Sequence, residues 1–307
     1  MSDSLSIIVC TRNRARSLAR CLRALSAIEA PVRFEAIVVD NASDDETADV
    51  VAKLAREQTW IRTVREPRIG LSCARNRGAA VATGALLAYL DDDAAPVPGW
   101  DRALRGAFAQ TEAAIVGGPI VPRFEVAAPP RIGPVELGAW SCQDLGPARR
   151  QVTEFPYLFG ANLAVRREHL ERLGGFDERF GRKGGSLLSG EDTDLCERTL
   201  AAGGRLVYEP EAIVHHWISA ERLSSAYLRR RAIATGRTRA LQMARHLRGG
   251  SLAAALAGKA AKLPAHLALW AWSAALGRPE AAVERRWSVF ATIGTLAHFL
   301  GAQEKVS

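Results

Sequence analysis

Three consecutive carboxylates, Asp91-Asp92-Asp93, close the apolar run Ala85 to Leu90. Adjacent carboxylates at the end of a buried strand repel one another unless donors or a cation compensate them. A hard divalent ion, Mg2+ or Mn2+, takes oxygen ligands from one or two carboxylates and completes its shell with substrate phosphate oxygens, which is the chemistry of a nucleoside-diphosphate site. Alternation along an extended chain sends Asp91 and Asp93 to one side and Asp92 to the other. Two more polar clusters follow apolar runs: Thr11-Arg12-Asn13-Arg14 after Leu5 to Cys10, and Asp40-Asn41-Ala42-Ser43-Asp44-Asp45 after Arg33 to Val39. In open α/β sheets ligands bind at the carboxyl ends of strands, so these clusters converge on one edge.

The elements that must hold them are legible as a change of period. Leu5 to Cys10, Arg33 to Val39, Trp60 to Val64 and Ala85 to Leu90 predict strands buried on both faces. Arg16 to Ile28 and Asp44 to Arg56 carry helical spacing between them, a βαβ succession with a mostly parallel sheet. Prolines at 119, 122, 129, 130, 134, 147 and 156 predict an extended, partly mobile loop region. Further on, Leu158 to Val165, a short helix at Arg167 to Leu173, a helix over Glu191 to Ala202, and strands Arg205 to Tyr208 and Ala212 to Trp217 are expected. From Ala220 the pattern is helical, with breaks predicted at Gly249-Gly250, Pro264 and Gly277-Arg278-Pro279.

A set of ordered motifs makes the reading specific. Ser6-Ile7-Ile8-Val9-Cys10-Thr11-Arg12-Asn13-Arg14, Ile37-Val38-Val39-Asp40-Asn41-Ala42-Ser43-Asp44-Asp45, Gly70-Leu71-Ser72-Cys73-Ala74-Arg75-Asn76-Arg77-Gly78 and Leu90-Asp91-Asp92-Asp93 resemble the motifs of family 2 glycosyltransferases. The resemblance continues through Phe159-Gly160-Ala161-Asn162, Gly174-Gly175-Phe176-Asp177, Gly190-Glu191-Asp192-Thr193-Asp194 and Pro210-Glu211-Ala212-Ile213-Val214-His215-His216, covering about residues 5 to 218.

It implies a GT-A type fold, Rossmann-like and of the nucleotide-diphospho-sugar transferase kind, over 1–218, with a nucleotide-sugar half at about 1–118 and an acceptor and catalytic half at about 119–218. Residues 219–307 are expected to form a C-terminal α-helical extension. The implied activity is that of an inverting, metal-assisted hexosyltransferase that moves a sugar from a UDP- or dTDP-linked donor to a hydroxyl of a glycan or lipid-linked acceptor, as in polysaccharide and cell-envelope synthesis. Thr11, Arg14, Asp40, Asn41, Arg75, Asp91 and Asp92 would line the donor. Asp40 would accept from the base imide, and Arg75 would face phosphate or ribose. Asp91 and Asp93 correspond to the ends of the D-x-D motif, and His216 to the metal ligand that follows a late strand. Alternation selects His216 over His215. Asp192 corresponds to the general base. Two rival readings share the pocket: an inactive sugar-nucleotide-binding scaffold, and a nucleotidyltransferase that releases pyrophosphate.

Composition limits the alternatives. The five cysteines form no C-x-x-C pair and read as core residues in a reducing cytoplasm. The N-terminal Met1-Ser2-Asp3-Ser4 carries no signal-peptide pattern, and neither Leu263 to Leu276 nor Trp287 to Leu300 is long enough to span a bilayer. The net charge of +8 is not organised as a nucleic-acid module. Tyr227-Leu228-Arg229-Arg230-Arg231 with Arg237, Arg239, Arg245 and Arg248, followed by segments containing Trp270, Trp272 and Trp287, suit peripheral attachment to an anionic membrane on its cytoplasmic side. Helices packing against a second copy are the competing reading.

Overall fold

The computed structural model describes residues 4–28 and 34–301. Met1 to Asp3 and Arg33, on which two of the expectations touch, lie outside them. The first half is the anticipated alternation: β1 (Leu5–Thr11), α1 (Ala15–Ser26), β2 (Phe34–Asp40), α2 (Thr47–Glu57), β3 (Ile61–Arg65), α3 (Leu71–Val81) and β4 (Leu86–Asp91). β1 and β4 are buried along nearly their whole length and β2 over Ala36 to Val39, because helices cover both sheet faces. In α1, Leu18, Cys21, Leu22 and Leu25 recur at helical spacing and are buried against the sheet.

Then follow β5 (Ala94–Pro96), α4 (Trp100–Gln110), β6 (Ala113–Gly117), β7 (Ile120–Phe124), α5 (Pro134–Ala139), β8 (Arg150–Val152), β9 (Asn162–Arg166), α6 (Arg167–Arg172), α7 (Glu191–Ala201), β10 (Arg205–Tyr208) and β11 (Val214–Ile218). The large sheet has the order β3-β2-β1-β4-β9-β6-β10-β8. Pairing is parallel from β3 through β4 and between β6 and β10, and antiparallel where β9 meets β4 and β6 and where β8 meets β10. The sheet is therefore mostly parallel, as expected. A small sheet, β5-β11-β7, stands beside it.

The proline-rich stretch is more structured than an extended loop. It supplies β7, α5 and β8, three short elements whose partners are distant in sequence and which therefore leave little local period. Proline starts α5 at its first position, where the missing N–H costs nothing.

Two compact units are formed: residues 1–123, 141–181 and 191–217, and residues 124–140, 182–190 and 218–307. The second consists mainly of α8 (Ser225–His246), α9 (Gly249–Ala275) and α10 (Pro279–Phe299). Breaks fall at Gly249 and at Gly277 to Pro279 as predicted, but Pro264 lies inside α9. The Ala- and Leu-rich flanks carry enough helix propensity to run through the single lost backbone bond. Within this unit α8 and α10 cross at glycines: a Cβ on Gly236 would meet the Ala291 carbonyl oxygen, and one on Gly294 that of Ile233. Thr295 Oγ1 donates to the Gly236 carbonyl at 3.0 Å across the same crossing.

Candidate active site

β1, β2 and β4 run parallel, so their carboxyl ends, Thr11, Asp40 and Asp91, arrive at one edge of the sheet. The loops after β1 and β2 are stitched together there: Asn13 N–H donates to Ser43 Oγ at 3.1 Å, and Asp44 N–H to Asn13 Oδ1 at 2.9 Å. Asp40 is half-buried and its Oδ1 accepts from Ser43 N–H at 3.0 Å, which fixes the carboxylate at the strand end.

Asp91 ends β4, whereas Asp92 and Asp93 lie in the turn between β4 and β5 and are both gripped by Arg14, so the turn rather than strand alternation sets where they point. Asp92 turns inward, accepting from Thr11 Oγ1 at 2.7 Å and from Arg14 Nη1 at 2.6 Å. Burial pushes its carboxyl pKa up; Arg14 pulls it back and Asp93 adds to the rise. Arg14 spans the pair, its other nitrogen lying 3.0 Å from Asp93 Oδ2, and Asp92 and Asp93 together raise its pKa and keep it charged.

Asp91 and Asp93 face a third element. β11 pairs antiparallel with β5 so that His216 lies opposite Ala94, and Trp217 N–H donates to the Asp93 carbonyl at 2.9 Å. That register sets His216 Nε2 2.8 Å from Asp93 Oδ1, both side chains being buried. His215 takes the opposite face, near Arg123 at 3.1 Å. One ligand atom each from Asp91, Asp93 and His216 falls within 4.8 Å of the others, the grouping among the described residues that could hold an ion. The donor set fits a divalent cation: two carboxylates and an imidazole, enclosed on one side and adjoining half-buried Asp91 on the other.

Arg75, expected to face phosphate or ribose, is buried between two carboxylates of the site. Its guanidinium is 3% exposed, with Nη1 2.9 Å from Glu191 Oε1 and Nη2 3.3 Å from Asp91 Oδ1. The rings of Phe176 and Tyr89 lie 5.4 and 5.9 Å from its Cζ, and Gly160 packs against it so closely that a Cβ there would sit 2.5 Å from both Nη atoms. Burial works against its charge, but Glu191, Asp91 and Asp192 outweigh it and raise its pKa. Arg75 is thus a buried tie between the strand that carries Asp91 and the helix that carries Asp192. Glu191 was not singled out from sequence, although its position beside Asp192 in a motif was the available signal. Its Oε2 is buried without a partner, and burial, followed by the neighbouring Asp192, raises its pKa against the pull of Arg75.

Asp192 stands in the first turn of α7, with Oδ2 accepting from Gly160 N–H at 2.9 Å and Oδ1 from Thr193 N–H at 2.7 Å. Asn41 faces inward: its Nδ2 donates to the carbonyls of Glu66 and Arg68 at 3.0 and 2.8 Å, and its Oδ1 accepts from Gly70 N–H at 2.8 Å. It pins the turn that launches α3. Asn162 is a second buried organiser, joining Trp100 Nε1 to the carbonyls of Pro119 and Ala212. Cys10 lies near Asp91 and Arg75, but burial pushes its thiol up to about 12, which leaves it an inert core group at neutral pH.

Comparison with known proteins agrees with this geometry. Residues 6–174, more than half of the chain, match the model of glycosyl transferase family 2, and residues 150–223 match that of the N-terminal domain of galactosyltransferase. The chain belongs to glycosyl transferase family 2. A relative, the succinoglycan biosynthesis protein ExoM of Rhizobium meliloti (strain 1021), is 32% identical over 312 residues, covering 98% of this chain and 94% of that protein. Among solved structures, a mannosyltransferase from Pyrobaculum calidifontis, in complex with GDP-Man and Mn2+, superposes with a TM-score of 0.66 at 22% identity, over 96% of this chain and 88% of that one. GalNAc-T7 with UDP, GalNAc and Mn2+ gives 0.57 at 18% identity, over 76% and 47%. Both support the GT-A fold. This family 2 glycosyltransferase therefore has the expected α/β core with a C-terminal helical extension, and a D-x-D arrangement at Asp91 and Asp93 that His216 completes.

Proposed function

We propose that this glycosyltransferase moves a sugar, with inversion, from a nucleoside-diphosphate donor to a hydroxyl of a glycan or lipid-linked acceptor. The observation that carries the reading is the convergence of Asp91, Asp93 and His216 at a strand edge that Arg75 ties to the Glu191-Asp192 helix start. A bound Mn2+ or Mg2+ would be held by Asp91, Asp93 and His216 and would neutralise charge on the departing diphosphate. The imidazole, softer than carboxylate oxygen, favours Mn2+ of the two.

The protein's own groups supply the rest. Asp192 accepts the proton of the acceptor hydroxyl as that oxygen attacks the anomeric carbon from the face opposite the leaving group. Its two backbone donors fix the carboxylate for that attack. Thr11 and Arg14 line the donor side and hold Asp92 and Asp93 in place. Asp40, fixed by Ser43, accepts from the imide N–H of a uracil or thymine base. Five free thiols suit the reducing cytoplasmic side.

The experiment is a thermal-shift panel of UDP-, dTDP- and GDP-linked sugars with Mn2+, followed by product analysis with the stabilising donor. Metal-dependent stabilisation by a pyrimidine donor, release of nucleoside diphosphate and an inverted anomer are expected. Stabilisation by GDP sugars alone would overturn the base assignment; release of pyrophosphate would mark a nucleotidyl transfer, and binding without turnover a scaffold.

A further inference from the structure

The excess positive charge of this chain is concentrated. Between Glu221 and Glu280 there are eleven arginines and lysines and no acidic residue, which exceeds the net +8 of the whole sequence, so the remainder of the chain is net negative. The segment comprises α8 and α9.

Within it, α9 reverses the usual pattern of a surface helix. It runs for 27 residues, about 40 Å at 1.5 Å per residue, yet Ser273 is its one buried residue. One edge, including Leu263, His266 and Trp270, is half-buried, and Trp270 meets Phe290 of α10 at 6.2 Å. Its outward surface is alanine and leucine: Leu267 and Leu269, with Leu276 capping the helix end, are more than two-fifths exposed, and Trp272 is 64% exposed. A helix of a water-soluble domain places charged residues on the side away from its core. Here the charged residues from Leu252 to Leu276 are Lys259 and Lys262, which leaves the helix uncharged from Leu263 onward. An apolar surface of this extent marks a docking face.

The charges select its occupant. Burial lowers the pKa of Lys259, and repulsion from Arg239 of α8 and from Lys262 lowers it further, so three cations crowd one another with no carboxylate in the segment to offset them. A second copy docking through the same face would bring that cationic cluster against its own image. An anionic lipid surface compensates it and also takes the leucines and the indole, whose favoured depth is the headgroup level. No helix among the described residues is long and apolar enough to cross a membrane, so the geometry is that of a helix lying along the surface.

We propose that the outer face of α9, with Lys259, Lys262 and Arg239 beside it, docks on the surface of an anionic lipid bilayer. This goes beyond the transfer chemistry and does not depend on it.

The test is flotation of the full chain with phosphatidylcholine vesicles, with and without phosphatidylglycerol, at low and high salt. The wild type is expected to float with the phosphatidylglycerol vesicles and to be released by salt. Lys259→Gln with Lys262→Gln should lower the partition coefficient about thirtyfold. Leu269→Gln with Trp272→Gln should abolish flotation with an unchanged circular dichroism spectrum, because both residues are exposed. Equal flotation by all variants, or equal binding to neutral vesicles, would overturn the proposal. So would the absence of flotation together with a dimer in sedimentation velocity that Leu269→Gln with Trp272→Gln dissolves, an outcome that assigns the face to a second copy.

Discussion

Replacing Gly160 by alanine adds one methyl group where the site is most tightly built. The φ of Gly160 lies outside the left-handed region, so alanine brings no backbone strain and the effect comes from space alone. The new Cβ would lie 2.5 Å from Nη1 and Nη2 of Arg75 and 2.8 Å from Cζ, against an ordinary contact of 3.4 Å or more. Relief requires the guanidinium to retreat by roughly 0.9 Å. It is held at 2.9 Å by Glu191 and at 3.3 Å by Asp91, so at least one of these bonds is lost. Overpacking of this kind costs about 1–3 kcal/mol, and parting a buried ion pair about 3–5 kcal/mol when nothing replaces it. Because Arg75 can keep one of its two partners, a loss of about 2 kcal/mol is expected, a fall of about 4 °C in the unfolding midpoint. Gly160 N–H also fixes Asp192, so kcat should fall with little change in KM for the donor. Arg75→Lys removes the clashing fork and leaves a flexible ammonium, so the double variant should cost at least about 1 kcal/mol less than the sum of the two singles. Strict additivity, or a Gly160→Ala protein with wild-type midpoint and turnover, would refute the claim that Arg75 is a confined tie.

Asp192→Asn should abolish transfer while thermal stabilisation by the donor persists; turnover at the wild-type rate would remove Asp192 from the base role. Burial alone would raise the pKa of Glu35, but donors from Thr83, Ser6 and Arg62 lower it to about 2. A carboxyl depressed in the folded state contributes stability above its unfolded pKa that is lost as pH falls toward 2, so Glu35→Gln should flatten the acid unfolding limb between about pH 4.5 and pH 2 while leaving neutral pH less stable. An unchanged slope would contradict that linkage. Gly236→Ala should loosen the crossing of α8 and α10 by at least about 2 kcal/mol, read as a lowered midpoint, since its Cβ would run into the Ala291 backbone.

The features that could be read from sequence are those with a local cause. β1, β2 and β4 are continuous apolar runs because both faces are covered, and the acidic triplet is conspicuous because like charges in a row need compensation. Alternation distinguished His216 from His215, since side-chain direction follows the two-residue period within a strand, but it does not govern Asp92 and Asp93, which lie in a turn and share Arg14. What escaped has a tertiary cause. β7 and β8 are short strands defined by β11 and β10, and Pro264 is carried within α9 by its flanks. The enclosure of Arg75 by Gly160, Glu191 and Asp91 joins four separate segments, and the inward turn of Asn41 depends on the carbonyls of Glu66 and Arg68. A motif names such residues without showing which way they face.

The central claim is that Asp91, Asp93 and His216 hold a divalent ion that receives a nucleoside diphosphate. Electron paramagnetic resonance of Mn2+ titrated into the full chain, alone and with UDP or GDP, measures it directly. The wild type should bind Mn2+ more tightly with the nucleotide present, and Asp93→Ala should weaken that binding by at least about tenfold. Equal Mn2+ affinity in the two proteins, or binding indifferent to the nucleotide, would contradict the account.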